Sequence, residues 1–280
     1  MNNKNLEFSE FKKIFTLRIQ NNLEDVFNSY GSSSCDLLKP MKYTALNGSK
    51  FIRSLLVYSS GSALKIPFKL LDQVSIAIEL IHTYTLIHDD LPCMDDDDYR
   101  RGRLSTHKKY DEGQAILAGN SLLTMAFNLL AQDSNSSLVE LLSLLSGHEG
   151  LAGGQSLDID NTKKKLNYKL INKIHEQKTA RLFEFCLAAP FIISNKSRQE
   201  INMSRKYGKI IGTIFQIIDD VHDYENKNNE YINILNIMTK DDALKKCSTY
   251  EAEANSLREK LIPNKKNRMN DILSYIINRK

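Results

Sequence analysis

Apolar residues recur three and four positions apart along most of the chain, and strand-type alternation is absent. In the first segment, for example, Phe11, Phe15 and Ile19 fall on one face of a helix. The predicted helices cover residues 7–30, 50–62, 69–91, 114–132, 137–153, 168–195 with a break at Pro190, 200–223, 229–247, 250–261 and 268–278. The pattern therefore predicts an all-α fold, a single domain over residues 1–280 with about ten helices.

The composition supports this fold and narrows the function. The 280 residues are 41% hydrophobic and 26% charged, which is enough to bury a core, and only 5 Pro and 12 Gly interrupt the helices. A net charge of +4 excludes a general nucleic-acid binder. Because the N-terminal segment MNNKNLEFSEFKK has no apolar core, we expect no signal peptide. We therefore expect a cytoplasmic protein without a membrane span.

Two groups of aspartates stand out, and each follows a predicted helix that is apolar nearly all round. The first acidic group spans Asp89–Asp98, and the second comprises Asp219, Asp220 and Asp223. A carboxylate at a helix C-terminus faces the negative end of the dipole and costs about 0.3–1 kcal/mol. A divalent cation reverses that sign, and carboxylates without Cys or His suit Mg²⁺. An EF-hand calcium loop is excluded, since Arg100 stands where glycine is required.

Spacing within the two groups bears on metal binding. Asp219 and Asp223 lie four residues apart and share one helix face. Asp89 and Asp95 lie six apart, about 240° on a continuous helix, so they cannot share a face there. Because Pro92 breaks the helix, we expect the chain to fold back and bring Asp95 beside Asp89.

Basic residues lie where they could bind phosphate. Arg100 and Arg101 directly follow the first acidic group, which suggests bidentate phosphate recognition, although a charge-balancing loop is the alternative. Lys50 and Arg53 are predicted on one face of the first turn of a helix. Gly48 before them leaves backbone N–H groups open for an anion.

Other polar residues are weaker candidates. His82 lies seven residues before Asp89, on the same face of the predicted helix. It is either a substrate contact or an ordinary core histidine. Five more polar residues lie on other predicted helices: Gln155, Asp158, Lys178, Thr179 and Gln216.

Together these residues resemble the trans-isoprenyl diphosphate synthase family, and most of all its bacterial farnesyl diphosphate synthases. The match runs from about Tyr43 to Tyr224, with a weaker echo over residues 275–280. The segment HDDLPCMDDDDYRRG at 88–102 resembles the first aspartate-rich motif of that family, and DDVHD at 219–223 resembles the second. The resemblance implies the isoprenoid synthase fold, with helices around a central apolar cavity.

The resemblance also implies roles for individual residues. Metal ligands would be Asp89, Asp95 and Asp219, supported by Asp90 and Asp223, with up to about three Mg²⁺ ions bound together with substrate diphosphate. The diphosphate of isopentenyl diphosphate would be bound by Lys50, Arg53, His82 and Arg101. The allylic diphosphate would be bound by Arg100, Lys178, Thr179 and Gln216, with Gln155 and Asp158 in support.

The implied activity is that of a prenyltransferase, a farnesyl diphosphate synthase or geranyltranstransferase. It would condense isopentenyl diphosphate head to tail with dimethylallyl and geranyl diphosphates, with Mg²⁺, as a homodimer. Geranyl or geranylgeranyl diphosphate is the alternative product, and a weakly active or non-catalytic partner subunit is the alternative role. A terpene cyclase normally lacks the second acidic group and the basic residues Lys50 and Arg53.

An aromatic residue five positions before the first acidic group resembles enzymes that form C15 products. Tyr84 holds that position and would floor the substrate pocket, although an ordinary core tyrosine is the alternative. Because five residues rotate a helix by about 500°, Tyr84 would have to reach the pocket from its flank.

The chain departs from the family pattern in two places. Residues 47–54 read NGSKFIRS where the family usually has LGGKRLRP, so Ser49 adds a Cβ near the expected phosphate. The loop after Asp223 is short and leaves Lys227 as its one candidate lysine for closing over the allylic diphosphate. We therefore predict poorer closure and a lower rate.

Overall fold

The structure is a computed structural model that describes residues 7–30, 36–132, 136–162, 164–225, 232–263 and 268–279. Over these residues the fold is all-α, as predicted, with thirteen α-helices and one short β-pair. The helices are α1 Phe8–Ser29, α2 Leu38–Ala45, α3 Ile52–Ala63, α4 Phe68–Asp89, α5 Thr106–Lys109, α6 Glu112–Ala131, α7 Ser136–Ser146, α8 Leu151–Asn161, α9 Tyr168–Ile174, α10 Arg181–Ile193, α11 Arg198–Glu225, α12 Lys240–Leu261 and α13 Arg268–Ile277. The antiparallel strands are β1 Tyr99–Arg100 and β2 Arg103–Leu104. A π-helical turn over His175–Ala180 joins α9 to α10, and a 3-10 turn over Ile234–Asn236 precedes α12.

The chain divides into two compact units. The first unit consists of Asn5–Tyr58 and Pro67–Val139, and the second consists of Ser59–Ile66 and Glu140–Lys280. The expectation of a single prenyltransferase domain over residues 1–280 stays a prediction, because two units can still work as one domain.

The core of the first unit forms around α4, which packs against α6. The predicted apolar face of α1 is buried, and its Phe15 ring lies 4.6 Å from Phe11 and 4.5 Å from Tyr58. Burial of such rings is the main favourable term in folding, at about 25 cal/mol for each Å² of apolar surface. This core fixes the position of the C-terminal end of α4, where the first acidic group begins.

Two helices are apolar enough to bear on the expectation of no membrane span. By length and composition, α4 and α6 could each cross a membrane, and α6 has no charged residue from Gly113 to Gln132. In their most apolar windows, 67% of α4 and 44% of α6 are buried within the fold. Core helices of folded domains pass the same test, so these two are weak evidence for a span.

The second unit is built around α11, which packs against α10, α12 and the π-helical turn. Two glycines of α11 allow this close approach. A Cβ at Gly208 would lie 2.5 Å from the Phe183 carbonyl oxygen, and one at Gly212 would lie 2.5 Å from Cα of Ala180. The close packing places the C-terminal half of α11 directly against the π-helical turn.

Several predicted boundaries were wrong. Pro190 lies inside α10 and does not break it, although it has no backbone N–H to donate; its side chain is buried with most of the helix, so packing outweighs the lost hydrogen bond. The predicted helix over 137–153 is two helices, and a Cβ at Gly150 would lie 2.0 Å from the Leu145 carbonyl oxygen. The helices predicted over 229–247 and 250–261 are the single helix α12, and residues 229–231 lie outside the described residues. The helices α2 and α5 and the β-pair were not predicted.

Candidate active site

The first acidic group begins at the last residue of α4, and the chain then folds back on itself. The Asp95 backbone N–H donates to the Asp89 carbonyl oxygen at 2.9 Å. The Met94 N–H donates in turn to the Leu91 carbonyl oxygen at 2.9 Å. This confirms the predicted return of the chain after Pro92, and it brings Asp95 beside Asp89.

Asp90 differs from its neighbours because its side chain is buried, with only 1% exposed. Its Oδ1 accepts hydrogen bonds from Nε of Arg100 at 2.8 Å and from Nη2 of the same guanidinium. Nη2 also donates to Oδ2 of Asp97 at 3.0 Å. Burial raises the pKa of the Asp90 carboxyl, and Arg100 acts against that rise. Asp90 is therefore an internal partner of Arg100 more than an open carboxylate.

The arginines of the first acidic group are presented by the β-pair. Arg101 and Gly102 form its two-residue turn with φ values of 55° and 76°, as a type I′ turn requires. Nη1 of Arg101 donates to the carbonyl oxygen of Asn47 at 2.9 Å. The turn thus joins Arg101 to the loop that precedes Lys50 and Arg53.

Four of the predicted phosphate-binding residues form one electrostatic cluster in the first unit. The pKa of His82 lies well below its usual value because of burial and the nearby charges of Arg53, Arg101 and Arg100. Burial also lowers the pKa of Arg101, and Arg100 and Arg53 lower it further, against the opposing charge of Glu79. His82 is therefore neutral near pH 7, and the cluster carries the positive charge that a diphosphate requires.

Glu79 is a buried acid beside this cluster that the sequence patterns did not single out. Its Oε1 accepts from Oγ of Ser54 at 2.7 Å and from the Ser54 backbone N–H at 3.3 Å. Burial raises the pKa of Glu79, and Ser54, Arg53 and Arg101 oppose the rise. The signal that could have revealed it is that Glu79 is the one acid between Asp72 and Asp89, in the most apolar part of α4.

The predicted position of Lys50 was wrong. Helix α3 begins at Ile52, so Lys50 is exposed and precedes the first turn, whereas Arg53 lies within it. Between them Phe51 has a φ of 49°, which turns the chain out of helical geometry. The Phe51 N–H donates to Oγ of Ser49 at 3.3 Å, so the serine that replaces the expected glycine engages a backbone donor here.

Tyr84 lies near the end of α4, as expected for a residue beside the first acidic group. Its ring stands edge-on to that of His88 with centroids 5.7 Å apart. Burial and the charge of Asp89 raise its pKa to about 12. A Cβ at Gly119 would lie 2.1 Å from Nε2 of His88, so the glycine in α6 lets the two helices close on this pair.

The carboxylates of the second acidic group have different surroundings. Asp220 is 1% exposed and accepts from the Ile234 N–H at 2.7 Å and from Nε2 of Gln216 at 2.9 Å. Nε2 of His175 lies 3.3 Å from its Oδ2. Asp220 therefore fastens the 3-10 turn and the π-helical turn to α11, and it was not among the predicted metal ligands.

Asp219 and Asp223 lie one turn apart in α11 and form the more open face of the second acidic group. Asp219 is 37% exposed, and Nη2 of Arg279 donates to its Oδ1 at 2.5 Å. Burial and the charge of Asp220 raise the pKa of Asp223, and His222 and Arg279 act against that rise. The sequence patterns gave no role to Arg279, which lies in the weak C-terminal echo.

Two of the predicted allylic contacts, Lys178 and Thr179, lie on the π-helical turn. Oγ1 of Thr179 donates to Oε1 of Gln216 at 2.5 Å, and Nζ of Lys178 donates to Oδ2 of Asp158. Both side-chain amide atoms of Gln155 are buried without a hydrogen-bond partner among the residues described. Single π-helical turns often mark functional sites.

A second set of possible metal ligands combines two residues of the first acidic group with a histidine. Among the described residues, one ligand atom from each of Asp96, Asp98 and His107 lies within 4.8 Å of the others. None of these is a predicted ligand, and Asp98 already pairs with Lys108 at 2.8 Å. The predicted lid residue Lys227 lies in 226–231, outside the described residues.

Comparison with known proteins gives consistent matches. A model of the polyprenyl synthetase family matches residues 35–274. Farnesyl diphosphate synthase from Buchnera aphidicola subsp. Acyrthosiphon pisum is 38% identical over 229 residues, covering 79% of this chain and 81% of the relative. The farnesyl diphosphate synthase of Haemophilus influenzae is 39% identical over 227 residues, covering 78% of this chain and 77% of the relative. A solved geranyltransferase from Legionella pneumophila is 28% identical, with a TM-score of 0.87 over 98% of each chain.

Proposed function

The chain belongs to the polyprenyl synthetase family, and on that premise we propose that it is a prenyltransferase making farnesyl diphosphate. It condenses isopentenyl diphosphate head to tail with dimethylallyl diphosphate and then with geranyl diphosphate. The names of its relatives support this reaction. The observation that carries the proposal is the hydrogen bond from the Asp95 backbone N–H to the Asp89 carbonyl oxygen, which brings two predicted metal ligands close together.

The predicted metal ligands are hard oxygen donors of the kind that bind Mg²⁺ together with substrate phosphates: Asp89, Asp95 and Asp219, with Asp90 and Asp223 in support. Asp90 is 1% exposed, and its Oδ1 is paired with Arg100. The open carboxylates, those of the predicted ligands that are not buried, are Asp89, Asp95, Asp219 and Asp223. When bound, Mg²⁺ supplies charge neutralisation for the departing diphosphate.

The cluster around His82 supports recognition of isopentenyl diphosphate. Arg53 and Arg101 would bind its diphosphate through their positive charge and through directed guanidinium hydrogen bonds. Neutral His82 would donate one hydrogen bond without adding charge. Lys50 lies exposed at the start of the same segment, where it would reach the diphosphate from solvent. These residues bind and orient the substrate and take no part in bond making.

The residues around the π-helical turn support binding of the allylic diphosphate. Lys178, Thr179 and Gln216 carry the donors. Gln155 and Asp158 lie on α8, which packs closely on this turn. A Cβ at Gly154 would lie 2.3 Å from the backbone nitrogen of Lys178. The reaction needs no nucleophilic side chain, because the isopentenyl double bond itself attacks the allylic carbon.

The outer face of α6 supports a homodimer. Ile116 and Leu117 are 42% and 52% exposed, and a groove of about 560 Å³ beside them is lined by α2 and α6 side chains. Apolar surface of this kind commonly marks a protein interface. We propose that the protein works as a cytoplasmic homodimer, for which light scattering should give twice the mass of the chain. A monomer at micromolar concentration would contradict this part of the proposal.

Product chromatography tests the activity. The protein is incubated with isopentenyl and dimethylallyl diphosphates, with Mg²⁺ or with excess chelator, and the products are dephosphorylated and separated. We expect farnesol with Mg²⁺ and no condensation with chelator. The absence of any condensed product with Mg²⁺ would refute the proposal, and geranylgeraniol would keep the enzyme class but change the product.

A further inference from the structure

We propose that Arg279 is a positioning residue for the second acidic group, holding Asp219 in the orientation in which it binds metal. This inference rests on the proposed function, because it takes Asp219 as a metal ligand. Arg279 follows α13, far in sequence from Asp219, and nothing in the two aspartate motifs points to it.

Three contacts fix the Arg279 guanidinium on α11. Its central carbon lies 3.7 Å from the centroid of the Phe215 ring, so the cation stacks on the ring. Nη2 donates to the carbonyl oxygen of Phe215 at 2.8 Å and to Oδ1 of Asp219 at 2.5 Å. Phe215 and Asp219 are one helical turn apart, so the stack and the ion pair use the same face of α11.

Arg279 is supported by a helix that is buried on one face. Its side chain is only 7% exposed, although it lies next to the last residue of the chain. Helix α13 is anchored on its buried face by Met269, Ile272, Leu273 and Ile276. A planar guanidinium held by a ring and a carbonyl has little freedom left, so it restricts the rotamers of the carboxylate that it binds.

The Arg279 guanidinium pairs directly with the Asp219 carboxylate. The loss of a hydrogen-bonding partner behind a metal ligand typically weakens metal affinity about 10- to 100-fold. Arg279 would therefore strengthen metal binding by orienting Asp219.

Binding of Mn²⁺, followed by electron paramagnetic resonance in the presence of inorganic diphosphate, tests this inference without any turnover. We expect R279Q to weaken Mn²⁺ binding by roughly tenfold. R279K keeps the charge but lacks the planar fork, so it should recover only part of that loss. F215L removes the stacking ring, and we expect a smaller loss of about threefold.

The matched control is R268Q, which removes the pair between Arg268 and Asp271 in the same helix and leaves α11 untouched. R268Q should lower the melting temperature about as much as R279Q and leave Mn²⁺ affinity unchanged. D219N establishes whether Asp219 binds metal at all. If R279Q does not fold, R279K and F215L carry the test.

The outcomes separate the inference from the proposed function. Weaker Mn²⁺ binding in both D219N and R279Q, with R268Q unchanged, supports the inference. Weaker binding in D219N together with unchanged or tighter binding in R279Q overturns the inference and leaves the proposed function standing. Tighter binding in R279Q would show that Arg279 competes with the metal for Asp219. Unchanged binding in D219N removes the metal role of Asp219 and the inference together.

Discussion

Each acidic group contains a buried aspartate whose negative charge needs a partner, and the two groups provide that partner in different ways. In the first, the buried carboxylate of Asp90 is paired with Arg100, ten residues further along the chain. In the second, the buried carboxylate of Asp220 is satisfied by the distant Ile234 N–H and lies against His175, and Asp219 is paired with Arg279. The first group is thus organised locally, and the second depends on the packing of its whole unit.

This difference explains which roles could be recognised from the chain alone. A charge that is answered within a few residues leaves a readable motif, such as the segment over 88–102. A charge that is answered from 60 residues away, as by Arg279, leaves none. In both groups one aspartate is buried and its neighbour in the sequence is more exposed. Two adjacent aspartates in a sequence give no sign of which one will be buried.

The largest expected effect concerns the open carboxylates. We predict that D89N and D219N each lower kcat by roughly a thousandfold, because each removes a ligand that neutralises the leaving diphosphate. The measurement is steady-state product formation at saturating Mg²⁺. The control D98N alters an exposed carboxylate of the first acidic group, and its kcat should stay within about threefold of the wild-type value. Equal losses in D98N and D89N would break the distinction between the open ligands and their neighbours.

The next effect concerns the buried carboxylates. We predict that D220A lowers the free energy of unfolding by about 2–3 kcal/mol, because it orphans the Ile234 N–H and removes the anion beside His175. D219A should cost less than about 1 kcal/mol, because Asp219 is partly exposed. Urea unfolding measures both. A larger loss of stability in D219A would reverse the assignment of interior and open roles.

A third effect belongs to the first acidic group alone. We predict that Y84A shifts the main product from C15 to C20, with at least about a tenfold change in their ratio, because removal of the ring deepens the pocket below Asp89. Chromatography of the dephosphorylated products measures the ratio. The control Y99A removes an exposed ring and should leave the ratio unchanged. An unchanged ratio in Y84A would reduce Tyr84 to a packing residue.

The smallest effect is a difference in pH dependence. Burial and Asp220 raise the pKa of Asp223 in the folded state, so the folded protein holds this proton to higher pH than the unfolded chain. The contribution of Asp223 to stability is therefore present at acidic pH and lost as pH rises through the folded pKa. Urea unfolding should show wild type losing stability relative to D223N as the pH rises from about 3 to about 6. A gain over this range would contradict the sign.

Most of the fold was predictable because the apolar period of a buried helix is a strong local signal. One error arose at Gly150, where the chain turns back closely on the Leu145 backbone and separates α7 from α8. Another arose at Pro190, which is buried inside α10 and held there by packing. Lys50 was misplaced because Phe51 adopts a positive φ, which no pattern of side chains reveals.

In the candidate site, the meeting of Asp95 with Asp89 was predictable from the helix rotation and Pro92. The pairing of Thr179 with Gln216 could not be, because it depends on α11 packing against a π-helical turn. Glu79 was also missed, although its isolation in an apolar helix is visible in the sequence.

The central claim is that this chain couples isopentenyl and allylic diphosphates through carboxylate-bound Mg²⁺. The most direct measurement is the release of inorganic diphosphate from geranyl and isopentenyl diphosphates, followed as Mg²⁺ is added to metal-stripped protein. The account predicts one diphosphate released for each isopentenyl unit consumed, with none before Mg²⁺ is added. Release without consumption of isopentenyl diphosphate, or no release at saturating Mg²⁺, would contradict it.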